Sequence, residues 1–515
     1  MAPTSDRGLL ARILQTPQLE RVVPRLEAQV VHRLIEACGL EDSASLVALL
    51  TPQQLTGVFD FDLWNAAHPG ADDRFDATRF ARWLEVIVES GVAAGAAKLA
   101  DMDAGLITAA FAQHVFVFDL AALPATGGRP RPNAEIGGYL VVPKGGDAWD
   151  ALVEVLSALD ANHHACFHRV MQGCRRLSNS APEIDGLHGL LGADAQTMFD
   201  LAASRDERRE QSGYLSAPQA RAFLTMSRQL RRDGDPPPGV HAIARAYFRE
   251  IVTPAPAEPQ PAPGQASVEA GAAAVVELLV DAGVLPRPPR ALLEAADAGS
   301  SRLSHIRAQL TGAAARGPES FATRNGELAF LANAVVAGGS VQGRAFTPEE
   351  ASEAVLSTCN IGLENWPASW PAPDDYVAEH GLIGVFQFGW SVLHQDVSLY
   401  AAEQLVAVLA ELRVGDRETQ AALTGLRREM AKQWKAGTPW RARRSLEVIA
   451  ILDMPAWAAL LALCDECPVL AAATAASLGS GVRQVSATAF EFISENRQIA
   501  SVRAFMTALP ETLRG

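Results

Sequence analysis

The sequence predicts an all-α protein: an N-terminal helical-repeat (superhelical) layer joined by a Pro/Ala linker to a C-terminal helical domain. Three observations carry this. First, 49% of the chain is hydrophobic but only 6% is aromatic. The apolar content is mostly Ala, Leu and Val, the first two strong helix formers, and alternating strand-like runs are nearly absent. Second, Val58-Phe59-Asp60-Phe61-Asp62-Leu63 returns as Val115-Phe116-Val117-Phe118-Asp119-Leu120. Self-similarity at such a spacing marks stacked helical repeats, here units from Arg33 to Leu63 and from Arg82 to Leu120. Third, residues 253–267 read TPAPAEPQPAPGQAS. Proline removes amide donors and fixes φ, so neither helix nor sheet ladder runs through them.

At 515 residues the chain is too long for one core. Four segments are expected: a helical-repeat domain at 1–123, a loop or hairpin plus a middle helical segment at 124–252, the linker at 253–267 and a C-terminal helical domain at 268–515. In the first, Leu26, Val30 and Leu34 form one apolar stripe and Phe80, Leu84, Ile87 and Val88 another. Thr51-Pro52 reads as a cap followed by proline at a first helical position. Gly137-Gly138 between apolar runs admits a short hairpin or an ordered loop, and 149–177 reads as one long amphipathic helix. Another helix is expected at 216–232, with Ser216 as its cap, and one between two breakers at about 240–251. Beyond the linker, helices are expected at 268–282, 289–298, 301–315, 320–337, 348–358, 382–393, 399–412, 416–435, 441–452, 455–464 and 486–509.

The net charge of −15 disfavours nucleic acid and anionic membranes as general partners. The scattered cysteines Cys38, Cys166, Cys174, Cys359, Cys464 and Cys467 suit reduced thiols. The opening residues hold no apolar run of signal-peptide length, and the most apolar stretch, 456–478, is interrupted by Asp465, Glu466 and Pro468. A cytoplasmic protein without a membrane span is expected.

The stretch from Arg33 to Trp64, with its proline-initiated turn at Thr51-Pro52-Gln53-Gln54-Leu55, resembles the helical repeats in the cytosolic N-terminal domain of MgtE-type magnesium transporters. No membrane domain accompanies it, so transport is not implied. A resemblance covering most of the chain is to an uncharacterised bacterial family, domain of unknown function 6178. It rests on Glu41 to Trp64, Phe80 to Leu84, Gly213 to Leu224 and Leu382 to His394. It implies a fold and brings no catalytic residues.

Five places carry candidate chemistry. Asp160, His164 and His168 recur at i, i+4, i+8. Imidazoles so spaced can share a metal, with Cys166 and Cys174 nearby, although no Glu sits in a zincin-type position and a helix ending in solvated or core histidines is the simpler reading. Cys464-Asp465-Glu466-Cys467 is a CxxC at the end of an apolar helix, where the dipole opposes thiolate formation, so a buried structural pair is expected. Pro143-Lys144-Gly145-Gly146 lacks Walker spacing and reads as a turn. Trp366, Trp370 and Trp390, with His380 and His394, are either an aromatic ligand pocket with acid/base histidines or packed core. Arg427, Arg428, Lys432, Lys435, Arg441, Arg443 and Arg444 form a basic segment interleaved with Trp434 and Trp440. It would dock a protein partner, pair with this chain's own acidic surface at Asp60, Asp62, Asp72, Asp73 and Asp76, or bind nucleic acid. The sequence therefore points to a non-enzymatic interaction or adaptor scaffold with no cofactor. The alternative is an enzyme, or a metal- or small-molecule-binding protein, using the Trp366–His394 region.

Overall fold

The computed structural model describes residues 6–66, 73–122, 132–145, 148–178, 193–211, 214–237, 243–244, 265–282, 284–285, 302–442, 445, 454–471 and 490–512. The fold is all-α. In chain order the main helices are α1 (Asp6–Leu14), α2 (Ala28–Cys38), α3 (Pro52–Asp62), α4 (Ala77–Ala100), α5 (Ala104–Ala112), α6 (Trp149–Asn162), α7 (His164–Ser178), α8 (Ala193–Gln211), α9 (Ala217–Ser227), α10 (Gln265–Asp281), α11 (Ser304–Arg316), α12 (Pro318–Gly338), α13 (Pro348–Glu364), α14 (Pro373–His380), α15 (Ile383–Leu393), α16 (Tyr400–Glu411), α17 (Arg417–Lys435), α18 (Met454–Leu463) and α19 (Asn496–Thr512). The strands are β1 (Trp64–Ala66), β2 (Asp73–Phe75), β3 (Val115–Asp119), β4 (Ala134–Ile136), β5 (Tyr139–Pro143), β6 (Val469–Ala471) and β7 (Phe490–Phe492). They make small antiparallel sheets, β1-β2, β3-β5-β4 and β6-β7. The expected helices at 240–251, 289–298 and 441–452 fall largely or wholly outside the described residues, as does most of the 253–267 stretch.

The chain divides into two compact units. The first holds the described residues up to 66, those from 73 to 211 and those from 265 to 285; the second holds 214–244 and 302–512. In the first unit α2 packs on α3, α4 on α6 and α5 on α7. Thr51 caps α3 and Gln54 closes the capping box, and Gln54 Nε2 also donates to Val23 and Leu26 carbonyls at 2.7 Å each. One polar side chain thus ties a helix start to the turn before α2. Phe59 meets Trp83 edge-on at 5.2 Å and Phe80 meets Phe111 at 5.7 Å, joining α3, α4 and α5 in one core.

Two expectations are corrected in this unit. The two hexapeptides do not close equivalent structures: Val58 to Asp62 ends helix α3, whereas Val115 to Asp119 is strand β3. Pro52 and the Thr51 cap start the first as a helix. In the second, Val117 replaces the aspartate and completes a β-branched and aromatic run, which pairs with β5 and buries Val115 and Val117 on one face. The long helix expected at 149–177 is broken at His163, where φ −136° and ψ 48° leave the helical region. The hairpin alternative at Gly137-Gly138 is the one formed. Both glycines have positive φ, 53° and 86°, the requirement of a two-residue turn joining β4 to β5.

In the second unit α13 and α15 cross at glycine. A Cβ on Gly389 would stand 1.9 Å from the Thr358 carbonyl oxygen, and one on Gly362 would stand 2.4 Å from that of Val385. Helices that approach this closely exclude any larger residue. Gly389→Ala is expected to lower the unfolding free energy of this unit by about 3 kcal/mol or more. Gly425→Ala on α17, where a Cβ meets nothing within 4 Å, is expected to raise it by about 0.5–1 kcal/mol. Denaturant titration of the full chain checks both signs.

Candidate functional site

Asp60, Asp62, Asp73 and Asp76 are already partnered. Asp60, buried, receives both Arg208 Nη2 at 2.6 Å and Nε at 2.8 Å. Asp62 accepts Trp83 Nε1 at 2.5 Å and Arg79 Nε at 2.6 Å, with His32 at 3.4 Å. Burial pushes the Asp62 carboxyl up, but these donors and the Arg79 charge outweigh it and hold it well below the usual range. Asp73 pairs with Arg205 at 2.6 Å, and Asp76 caps α4 through Arg79 N–H at 2.9 Å. Asp72 lies outside the described residues.

Asp160, His164 and His168 are brought together. His164 Nδ1 lies 2.9 Å from Asp160 Oδ1 across the break at His163, and the two Nε2 atoms of His164 and His168 face each other at 2.9 Å. Tyr139 Oη lies 3.2 Å from His168 Nδ1. The β4-β5 turn holds this cluster closely: a Cβ on Gly137 would stand 2.3 Å from Phe167 Cε1 and 2.7 Å from Asp160 Oδ1. Cys166 is half-buried and Cys174 buried, and burial raises both thiols, Cys174 to about 12. Sequence spacing singled out the histidines. Tyr139 was missed because only the hairpin brings it there.

The aromatic residues of the second unit fill one another's space. Trp366 lies 4.9 Å from Trp370 and 4.8 Å from Tyr376, and Trp370 lies 4.9 Å from Phe388. Their polar atoms pin backbone. Trp366 Nε1 donates to the Pro371 carbonyl, Trp370 Nε1 to Gly234 and Tyr376 Oη to Pro237, all at 2.8–2.9 Å. The two histidines have different neighbours. His380 lies tilted against Tyr376 at 5.0 Å and is partly exposed. His394 is buried in a π-helical turn, His394–Leu399, that follows α15 and faces Trp440 at 6.0 Å.

This turn is the most unusual polar site of the unit. Among the described residues His394 Nδ1 has no hydrogen-bond partner, nor has buried Trp390 Nε1. Arg228 stacks over Trp440 at 4.4 Å and pairs with Glu466, which also accepts from Ser340 at 3.1 Å. Burial and the Arg228 charge push the His394 imidazole down to about 4. Cys464 and Cys467 beside Glu466 are buried free thiols, raised by burial, Cys464 to about 12.

On α17, Arg428, Lys432 and Lys435 share one exposed face at i, i+4, i+7, with Arg427 half-buried beside them and Arg441 exposed in the following turn. None of these five has a carboxylate within ion-pair distance among the described residues. Arg443 and Arg444 lie outside them.

Residues 2–183 match the family model of a family of unknown function (DUF6178). Over these residues the chain is similar to that family. The match takes in α1 to α7, including Asp62, Tyr139, His164 and His168, and spans about a third of the chain. Gly213 to Leu224 and Leu382 to His394 lie beyond it. No curated protein and no solved structure matches the chain. Among the described residues no helix is long and apolar enough to cross a membrane.

The depressed His394 value makes stability depend on pH. Above the ordinary imidazole value of about 6.5 both folded and unfolded chains hold a neutral ring. As pH falls from there toward 4, only the unfolded chain takes up the proton, so stability is lost. The expected loss across that window is up to about 3 kcal/mol. Denaturant unfolding of the wild type and of His394→Phe at several pH values reads it: the wild type is expected to lose stability relative to the variant as pH falls from about 6.5 toward 4.

Proposed function

We propose that the protein is an interaction scaffold that docks an acidic protein surface on the α17 face of Arg428, Lys432 and Lys435, extended by Arg427 and Arg441. The single observation behind this reading is the contrast in pairing. The acidic cluster of Asp60, Asp62 and Asp73 is satisfied by arginines of its own unit, while the basic face has no carboxylate partner among the described residues. Basic groups left in water attract a complementary surface and speed its encounter. Nucleic acid suits a chain of net charge −15 less well. A cytoplasmic adaptor role without chemistry of its own is consistent with this.

The experiment is affinity capture from the native cell extract at low salt, comparing wild type, Arg428→Glu/Lys432→Glu/Lys435→Glu and the distant control Arg316→Glu. An acidic protein retained by the wild type and the control, and lost about tenfold or more in the triple variant and at high salt, is the expected result. Equal capture by all three proteins sinks the reading, as does a ribonuclease- or deoxyribonuclease-sensitive signal.

A second reading has its own observation, the buried His394 imidazole, whose Nδ1 has no hydrogen-bond partner among the described residues, on a π-helical turn, a local geometry frequent at functional sites. It makes the second unit a binder of a small polar ligand beside Arg228. A metabolite that raises the melting temperature of the wild type and leaves His394→Ala unmoved would support it.

A further inference from the structure

We propose that His164 and His168 form a two-histidine binding site for a first-row divalent cation of the zinc, nickel or copper class, with Asp160 and Tyr139 orienting the rings. The inference is independent of the docking face on α17. Its basis is that each ring has its Nδ1 occupied by a neighbour, which leaves the two Nε2 atoms convergent. His164 Nδ1 meets Asp160 Oδ1 at 2.9 Å, His168 Nδ1 meets Tyr139 Oη at 3.2 Å, and the facing Nε2 atoms are 2.9 Å apart. Metal-bound imidazoles characteristically hold their second nitrogen in such a contact, which fixes the tautomer and the ring plane.

The distance suits a shared ion. Zinc–nitrogen bonds of about 2.0–2.1 Å at tetrahedral angles place adjacent ligand atoms about 3.3 Å apart. The rings need to open by only a few tenths of an ångström. They are already nearly perpendicular, at 87°. The His164 side chain is 65% exposed, so an ion reaches the site from solvent. Among the described residues no third His, Cys, Asp or Glu joins the pair. The remaining coordination positions therefore belong to water or to an exogenous ligand. Asp160, which the spacing offered as a third ligand, is instead a positioning residue, since its oxygen is engaged by His164 Nδ1.

Proton positions balance in both states. Without metal, Tyr139 O–H donates to His168 Nδ1, His168 Nε2–H donates to His164 Nε2, and His164 Nδ1–H donates to Asp160. With metal, the His168 proton moves from Nε2 to Nδ1 and is donated to the Tyr139 oxygen, whose own hydrogen turns to solvent. Both Nε2 lone pairs are then free for the ion, and no proton is lost overall. The preorganisation comes from the fold: the i, i+4 spacing holds His164 beside Asp160 across the break at His163, and the Gly137-Gly138 turn seats β5 so that Tyr139 reaches α7.

The test is a zinc titration of the chelator-treated full-length protein near neutral pH, read by competition with a chromophoric zinc indicator. Copper-loaded samples read by electron paramagnetic resonance report the nitrogen ligands. The expected result is one zinc equivalent bound at least tenfold more tightly by the wild type than by His164→Ala/His168→Ala, with nitrogen couplings in the copper spectrum that the double variant lacks. Asp160→Asn and Tyr139→Phe are expected to weaken binding about tenfold or more. Circular dichroism confirms that the variants are folded. Wild type and double variant binding zinc equally would overturn the site, and unchanged affinity in both Asp160→Asn and Tyr139→Phe would overturn the orienting roles.

Discussion

A carboxylate cannot leave water without a partner, and that constraint organises the first unit. Asp60 and Asp62 lie on the last turn of α3, buried or nearly so, and each is met by an arginine from another helix. Breaking such a pair by removing one member costs about 3–5 kcal/mol. The pairs therefore fix where α4 and α8 stand against α3. Arg205 and Arg209 extend the same logic by lying over Trp64 at 4.8 Å and Phe61 at 5.2 Å. A functional consequence follows: Asp60, Asp62 and Asp73, which the sequence offers as partners for the basic segment, are taken up by arginines of their own unit.

The histidine cluster combines helical spacing with a hairpin. The i, i+4 spacing sets His164 beside Asp160, but helix spacing alone does not bring Tyr139 to His168. The hairpin does that, and it approaches so closely that Gly137 has no room for a side chain against Phe167 and Asp160. A polar chain from Tyr139 through both histidines to Asp160 thus lies over the buried ring of Phe167, which is 6.0 Å from Tyr139 and 5.7 Å from His168. Apolar packing on one side and solvent on the other keep the rings in place and the Nε2 atoms accessible.

Helix content was legible because it rests on local chemistry. The Thr51-Pro52 cap, the Ala- and Leu-rich stretches and the Gly137-Gly138 turn each state their preference within a few residues. The hexapeptide misled because its residues suit either structure. What decided each copy lay outside it: a capping box for Val58 to Asp62, and a pairing partner more than twenty residues on, β5, for Val115 to Asp119. The histidine spacing was readable as one helix face, but not Asp160's place behind His164 or Tyr139's arrival. The aromatic residues from Trp366 to Trp390 were visible as a concentration, while their task of pinning 234–237 depends on a segment over a hundred residues earlier in the chain. Arg228 and Glu466 beside His394 gave no signal at all, since neither stands near it in sequence.

The basic face of α17 is harder to explain as ordinary helix chemistry than it first looks. Cations in a last turn are favoured by the helix dipole, which covers Lys432 and Lys435. That effect fades within one turn, so it does not reach Arg427 and Arg428, and Arg441 lies past the helix end. Within the helix, Arg428 stands four residues before Lys432, and Lys432 three before Lys435. Like charges at those spacings oppose the helix by about 0.2–0.5 kcal/mol each. The one acid among them, Glu429, accepts instead from Gln433 at 2.6 Å. The inner face is secured by Leu423, Leu426 and Met430, all buried, so packing holds the helix while its outer face remains repulsive. A stripe that works against its own helix fits the proposed docking of an acidic surface, which would relieve the repulsion.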